Sequence, residues 1–334
     1  MRVVVMEDYQ QAVERLECFA WASKHEVVVR SKRPADVVER AAQIGDAEGL
    51  VLIRERTPID EPLLELLPHL RLICQTGRGT PHIDIEACTK RGIVVCTGSG
   101  TPYAPAELTL ALILASTRSL VDDVIALRSG IWQTTMGSEL HGRTLGIVGY
   151  GTIGALVARY GTALGMRVLA WGRAGSLARA EADDCEAEPD LDALCTRSDI
   201  VSLHLKLSAE TRGLVTSRLL ARMKPDALLV NTARAGLIEH GALEAALAAG
   251  RPGRAAIDVF DEEPAEADPL LRQAAVLATP HLGYVTWETY EGYFAQAFAQ
   301  VDAFVSGAPV GVINPDVLSA AADLAGEASE PTQA

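Results

Sequence analysis

A strand-like run, Thr144, Leu145, Gly146, Ile147 and Val148, leads directly into the turn Gly149, Tyr150, Gly151, Thr152, Ile153, Gly154. An apolar-periodic segment from Ala155 to Leu164 leaves it. Glycines at this spacing between a strand and a helix form the dinucleotide-binding fingerprint. Gly149 permits a tight turn, Gly151 lets the backbone approach a pyrophosphate, and Gly154 lets helix and strand pack closely. The helix start at Thr152 and Ile153 offers unpaired N–H groups and a positive dipole end to the phosphates.

The flanking pattern is α/β on both sides of this turn. Strands are expected at Val3–Val5, Glu26–Val29, Leu50–Ile53, Leu70–Cys74 and Ile93–Cys96, with helices at Pro34–Gln43, Glu61–Leu67 and Asp84–Lys90 between them. Such alternation predicts a parallel sheet covered by helices. A Gly, Ser and Pro cluster at Gly98–Pro105 then precedes one long apolar helix, Ala106 to about Arg128. Six further strands follow: Leu145–Val148, Arg167–Trp171, Ile200–Leu203, Leu228–Asn231, Ala255–Ile257 and Val276–Ala278. They predict a doubly wound dinucleotide domain.

The length of 334 residues suits two domains. The residues after Leu282, with a helix at Thr286–Val305, are too few for a domain of their own, so they are expected to return to the first unit. This gives a discontinuous outer domain, 1–102 and 285–317, with residues 103–284 inserted as the cofactor domain. The Ala-rich acidic tail, 318–334, carries no periodic pattern and is expected to be disordered.

With 44 acidic against 30 basic residues, a net charge of −14 disfavours a nucleic-acid surface. No apolar run reaches the roughly 18–20 residues that span a membrane. The start, Met1–Met6, shows no cleavage-site pattern, so a cytoplasmic protein without a signal peptide is expected. Six cysteines without C-x-x-C spacing read as buried free thiols, and no metal site is expected.

Three segments stand where strands of the second unit end, which is where an open α/β sheet binds ligands. They are Asn231–Gly236, Asp258–Pro264 and Thr279–Gly283. Arg234 can fork onto a carboxylate. His281 can pass a proton near neutral pH, oriented by a partner carboxylate. Glu262 and Glu263 are adjacent and equally acidic, and the residues alone leave both open as that partner. Beside a nicotinamide, these groups suffice to reduce a 2-keto acid or oxidise a 2-hydroxy acid.

Over nearly its whole length the chain resembles the D-isomer-specific 2-hydroxyacid dehydrogenase family, which includes 3-phosphoglycerate dehydrogenases and glyoxylate or hydroxypyruvate reductases. The matching motifs are His141–Gly154, Ser202–Leu214, Met223–Glu239, Ala256–Pro264 and Thr279–Thr286. The resemblance implies two Rossmann-like or flavodoxin-like doubly wound parallel-sheet domains, and a homodimer through the helix after Pro105. It implies an NAD(P) cofactor and a small 2-hydroxy or 2-keto acid substrate. Arg234 would bind the substrate carboxylate and carbonyl, and His281 would be the acid and base. Glu263, placed directly before Pro264, would be its partner. Asp258 would bind the nicotinamide carboxamide, His204 would lie near the nicotinamide ribose, and Thr232 and Ala233 would line the cofactor. In the outer domain the loop Gly77, Arg78, Gly79, Thr80 would bind the substrate carboxylate through N–H groups. Arg78 either adds a contact of its own or stands as a solvated loop arginine. Tyr103, Trp132, Tyr284 and Trp287 are candidates for a pocket lining or for core and interface positions.

Two departures from the family pattern matter. The strand Arg167–Trp171 ends in Gly172 and Arg173, where a carboxylate for the adenine-ribose 2′-OH is usual. Arg173, with Lys206 where the family often has proline, predicts NADP preferred over NAD. Ala235 replaces the usual glycine after the arginine, and would strain the loop if that position requires φ > 0. The competing class is a cofactor-sensing protein like the carboxy-terminal-binding corepressors, since a shared fold does not fix function.

Overall fold

Short β-branched runs build two separate parallel sheets. The computed structural model describes residues 1–318, so the expected disordered tail lies outside the described residues apart from Leu318. The chain divides into two compact units, one of Met1–Thr101 with the described residues from Thr286 onward, the other of Pro102–Val285.

In the first unit, β1 (Arg2–Val5), β2 (Glu26–Val29), β3 (Gly49–Leu52), β4 (Leu72–Gln75) and β5 (Val94–Thr97) lie in the order β2-β1-β3-β4-β5. Every pairing is parallel. β3 and β4 are buried along their whole length, as strands covered on both faces must be. Helices α1 (Val37–Ile44), α2 (Glu61–Glu65) and α3 (Ile85–Lys90) fill the crossovers. α1 starts three residues later than its pattern predicts, because Asp36 caps it by accepting from Glu39 N at 2.8 Å. The Glu39 carboxylate answers by accepting from Ala35 N at 2.7 Å.

The second unit departs from the expected pattern at its first helix. The long helix expected from Ala106 to Arg128 is two helices, α4 (Tyr103–Thr117) and α5 (Leu120–Arg128), broken at Ser119 with φ 47°. Just before the break, the Thr117 hydroxyl bonds back to Ile113 O at 2.8 Å, the local competition by which such side chains bend helices. α4 also begins three residues early, because Pro105 stands in the first turn, whose N–H groups have no partners to lose.

The sheet of this unit has seven strands where six were expected: β6 (Thr144–Val148), β7 (Arg167–Trp171), β8 (Glu186–Ala187), β9 (Ile200–Leu203), β10 (Leu228–Asn231), β11 (Arg254–Ile257) and β12 (Val276–Ala278). The addition, β8, is a two-residue edge with no β-branched residue to announce it. The order β12-β11-β10-β9-β6-β7-β8 is the doubly wound arrangement, its direction reversing between β6 and β9. Ile147, Leu156 and Val157 pack with Leu112 and Ile113 of α4 on one face, and Val148, Leu169, Leu203 and Leu229 form the core of the other. Helices α6 (Thr152–Ala163), α7 (Ala174–Ala182), α8 (Leu191–Arg197), α9 (Ser217–Arg222) and α10 (Ala242–Ala248) complete the unit. In the first unit, α11 (Trp287–Val305) and the segment after it return to the sheet, where the Asn314 side chain accepts from Val95 N at 2.9 Å.

Candidate active site

The glycine turn leaves β6 at the reversal of strand order. Gly149 takes φ 103° and donates to Trp171 O at 2.9 Å, so the turn is tied to the end of β7. A Cβ on Gly154 would lie 2.2 Å from Gly149 O, which makes glycine obligatory there for packing. Gly151 differs: a Cβ there would meet nothing within 4 Å. It caps α6 without any side-chain bond, and the first turn, starting with Thr152 and Ile153, carries no acidic residue. An open backbone face in front of uncapped helix N–H groups fits a pyrophosphate.

At the end of β7, Gly172 is followed by Arg173, which is exposed and occupies the N-cap of α7 without a side-chain cap bond. Lys206 is exposed on the loop after β9. Arg179 was not singled out by sequence, yet its Nη2 donates to Tyr150 O at 3.0 Å, inside the glycine turn. The available signal was its i, i+3 spacing from Ser176, whose hydroxyl accepts from the same Nη2 at 3.2 Å.

His204 follows β9, its N–H donating to Val148 O at 2.8 Å and its Nε2 lying 2.9 Å from Ser202 Oγ. Burial pushes its pKa down to about 4, so the ring is neutral at physiological pH. On the loop after β10, Thr232 Oγ1 lies 2.7 Å from Thr109 Oγ1. Because Thr109 donates to Pro105 O at 2.7 Å, Thr232 is the donor of that pair. Asn231, buried at the end of β10, accepts from Ala233 N at 3.1 Å and donates to Arg234 O at 2.9 Å. It therefore sets the backbone on both sides of the arginine side chain. Arg234 is half-buried, with Nη1 donating to Ala233 O at 2.7 Å. Ala235 opens a 3-10 turn, Ala235–Leu237, and is not among the positive-φ residues. The condition for strain at Ala235 is not met.

The loops after β11 and β12 meet. His281 Nδ1 stands 2.6 Å from Glu263 Oε2, and Glu263 Oε1 accepts from Phe260 N at 3.1 Å. Glu262 is exposed. His281 has φ 51°, a conformation few non-glycine residues adopt, and its ring makes an edge contact with Tyr284 at 5.3 Å. Asp258, fully buried, holds this turn by accepting from Thr279 Oγ1 at 2.6 Å, Leu282 N at 2.7 Å and Gly283 N at 2.8 Å. Burial raises its pKa, against the lowering effect of those hydrogen bonds.

In the first unit, the loop after β4 is fixed from below by Gln75, which donates to Gly79 O at 2.9 Å and to Arg54 O at 3.0 Å. Gly77 has φ 78°, and a Cβ there would lie 2.0 Å from Arg54 Nη1, so Arg54, also missed from sequence, packs directly on this loop. Arg78 is exposed and Gly79 half-buried. Of the four aromatics, Tyr284 is buried, while Tyr103, Trp132 and Trp287 are exposed, Trp287 with the Arg15 guanidinium 4.7 Å over its ring.

All six cysteines are buried free thiols, and burial raises the pKa of Cys88 and of Cys195 to about 12. Among the described residues no group of three or more His, Cys, Asp or Glu is placed to hold a metal ion, and no helix is long and apolar enough to cross a membrane.

A doubly wound sheet with a glycine turn at its reversal and an imidazole–carboxylate pair at its carboxyl edge defines a nucleotide-dependent α/β protein. Residues 110–283 match the family described as D-isomer specific 2-hydroxyacid dehydrogenase, NAD binding domain, and the chain belongs to that family. It is 37% identical over 253 residues to a D-3-phosphoglycerate dehydrogenase of Methanocaldococcus jannaschii, covering 75% of this chain and 48% of that protein. It is 36% identical over 272 residues to a glyoxylate reductase of Thermococcus litoralis, covering 78% and 82%. A solved oxidoreductase from Ralstonia solanacearum superposes with a TM-score of 0.92 at 47% identity, over 95% of this chain and 98% of that one. The chain thus spans about half the length of the phosphoglycerate dehydrogenase it matches.

Proposed function

We propose that this protein is an NAD(P)-dependent oxidoreductase acting between a D-2-hydroxy acid and its 2-keto acid, of the glyoxylate, hydroxypyruvate or 3-phosphoglycerate type. The observation that carries the reading is the 2.6 Å contact between His281 Nδ1 and Glu263 Oε2. It leaves Nε2 as the ring nitrogen for substrate. The nicotinamide, when bound, supplies or accepts the hydride at its C4. In the reducing direction His281 gives a proton from Nε2 to the carbonyl oxygen, and in the oxidising direction it takes that proton back. Glu263 orients the ring and offsets the positive charge of its protonated form. The Arg234 fork binds the substrate carboxylate and polarises the carbonyl, from a backbone set by Asn231. Arg78 and Gly79 are assigned to the substrate on family resemblance.

The Gly149–Gly154 turn is the pyrophosphate cradle, with Thr232, Ala233, His204 and Asp258 on the cofactor side. Gly172, Arg173 and Lys206, with no carboxylate at the end of β7, favour NADP over NAD. A homodimer through α5 is supported by that helix having no buried residue although Leu120, Val121, Val124, Ile125 and Leu127 all stand exposed.

The test is oxidation of NADPH and NADH with glyoxylate, hydroxypyruvate and larger 2-keto acids, for the wild type and for His281→Ala. Turnover that is lost in the variant supports the reading. Cofactor binding without turnover of any keto acid overturns it in favour of a cofactor sensor.

A further inference from the structure

Arg179 lies well inside α7, yet its guanidinium is folded back to the start of that helix. Nη1 donates to Gly175 O at 3.0 Å, while Nη2 is shared between Ser176 Oγ at 3.2 Å and Tyr150 O at 3.0 Å. These bonds place a fixed positive charge beside the end of β7. A Cβ on Gly172 would lie 3.4 Å from Ser176 Cβ and 3.7 Å from Tyr150 N, so Gly172, Ser176 and the glycine turn are immediate neighbours. Tyr150 is held from a second side, its phenol donating to Asp183 Oδ2 at 2.8 Å. From Trp171 to Ser176 the chain has no carboxylate.

We infer that Arg179 is a cofactor-specificity residue: with Arg173 and the Ser176 hydroxyl it receives the 2′-phosphate of an NADP-type nucleotide. This rests on the NADP preference proposed above. Three of the five guanidinium N–H groups are spent on Gly175, Ser176 and Tyr150, which leaves Nε–H and one Nη1–H to donate to phosphate oxygens. Because the side chain is already held, little conformational freedom is lost when it binds. Its bond to Tyr150 O also joins the 2′-phosphate position to the turn proposed for the pyrophosphate, so α7 serves both phosphates.

Calorimetric titration of the full chain with adenosine 2′,5′-bisphosphate and with 5′-AMP tests this without any turnover. The wild type is expected to bind the bisphosphate at least about tenfold more tightly, the effect of one good charge-assisted contact. Arg179→Ala is expected to cut that ratio below about threefold while 5′-AMP affinity stays within about twofold of wild type. Arg179→Lys keeps the charge, loses the fork, and falls between. A wild-type ratio near one overturns the NADP reading and this inference together. A wild-type ratio near ten that survives in Arg179→Ala overturns the role of Arg179 alone. Equal weakening of both ligands makes Arg179 a brace of the glycine turn and also overturns its role. Thermal unfolding of each variant confirms its fold, and Arg179→Lys carries the comparison if the alanine variant does not fold.

Discussion

His281 and Glu263 meet at 2.6 Å, with the histidine in left-handed backbone at φ 51° and the carboxylate's second oxygen bonded to Phe260 N. A carboxylate fixed at both oxygens can orient an imidazole. Glu262 and Glu263 are both exposed, and it is Glu263 that the ring's Nδ1 takes as partner. Glu263→Gln is therefore expected to lower kcat about a hundredfold, within the range general acid–base groups contribute, while Glu262→Gln stays near wild type. Steady-state kinetics with the best keto acid checks this, and equal effects would refute the assignment.

Arg234 and Ala235 separate function from backbone. Arg234→Lys loses the bidentate fork and should cost about ten- to a hundredfold in kcat/KM. Ala235→Gly should change kcat/KM by less than about twofold, because Ala235 already holds a right-handed 3-10 conformation that glycine does not improve. A large gain in activity on Ala235→Gly would show that the methyl group is an obstacle.

The glycine turn gives a paired prediction. Gly154→Ala forces a Cβ to within 2.2 Å of Gly149 O and should destabilise the second unit. Gly151→Ala meets open space, so the melting temperature should hold while nucleotide binding, followed by fluorescence quenching, is lost. Normal nucleotide affinity in Gly151→Ala would remove the pyrophosphate from this face.

His82 and His204 both have pKa values pushed down to about 4 by burial. An unfolded histidine takes up its proton near pH 6.5. Between pH 6.5 and 4 the unfolded chain therefore binds more protons than the folded one, and stability is lost as pH falls through that window. Replacing both by asparagine should flatten the decline from pH 7 to pH 5 by at most about 2 kcal/mol for each histidine. Urea unfolding at the two pH values reads this difference, and identical slopes for wild type and variant would contradict it.

The dimer proposal turns on α5 and the segment after it, where Ile125 and Leu127 are 57% exposed, Trp132 75% and Met136 91%. Leu120→Asp with Ile125→Asp should convert a species of twice the chain mass into one of a single chain in sedimentation equilibrium. A wild type that sediments as a single chain would end the proposal.

The strands were legible because buried parallel strands are short β-branched runs, and most were placed to within a residue or two. What escaped has local causes. β8 is two residues, Glu186 and Ala187, and is a strand only because β7 lies beside it. The break at Ser119 lies inside an apolar period that runs on across it, so periodicity could not reveal it. Within the candidate site, residues on motifs were visible, Asn231 among them, while Arg54 and Arg179 act through contacts with loops distant in sequence. For Arg54 that contact leaves no spacing to read, and for Arg179 the one local trace is its i, i+3 spacing from Ser176.

Asp258 accepts two of its three hydrogen bonds from main-chain N–H groups, at Leu282 and Gly283. No side-chain replacement at either position other than proline can delete those donors. Leu282 is thus free to change its side chain beside the histidine, whereas a Cβ on Gly283 would come 3.3 Å from Asp258 Oδ2, and the two main-chain donors converge on one carboxylate more than twenty residues upstream. A survey of tolerated substitutions should find Leu282 permissive and Asp258 nearly closed, an asymmetry invisible from distance to the reacting atoms.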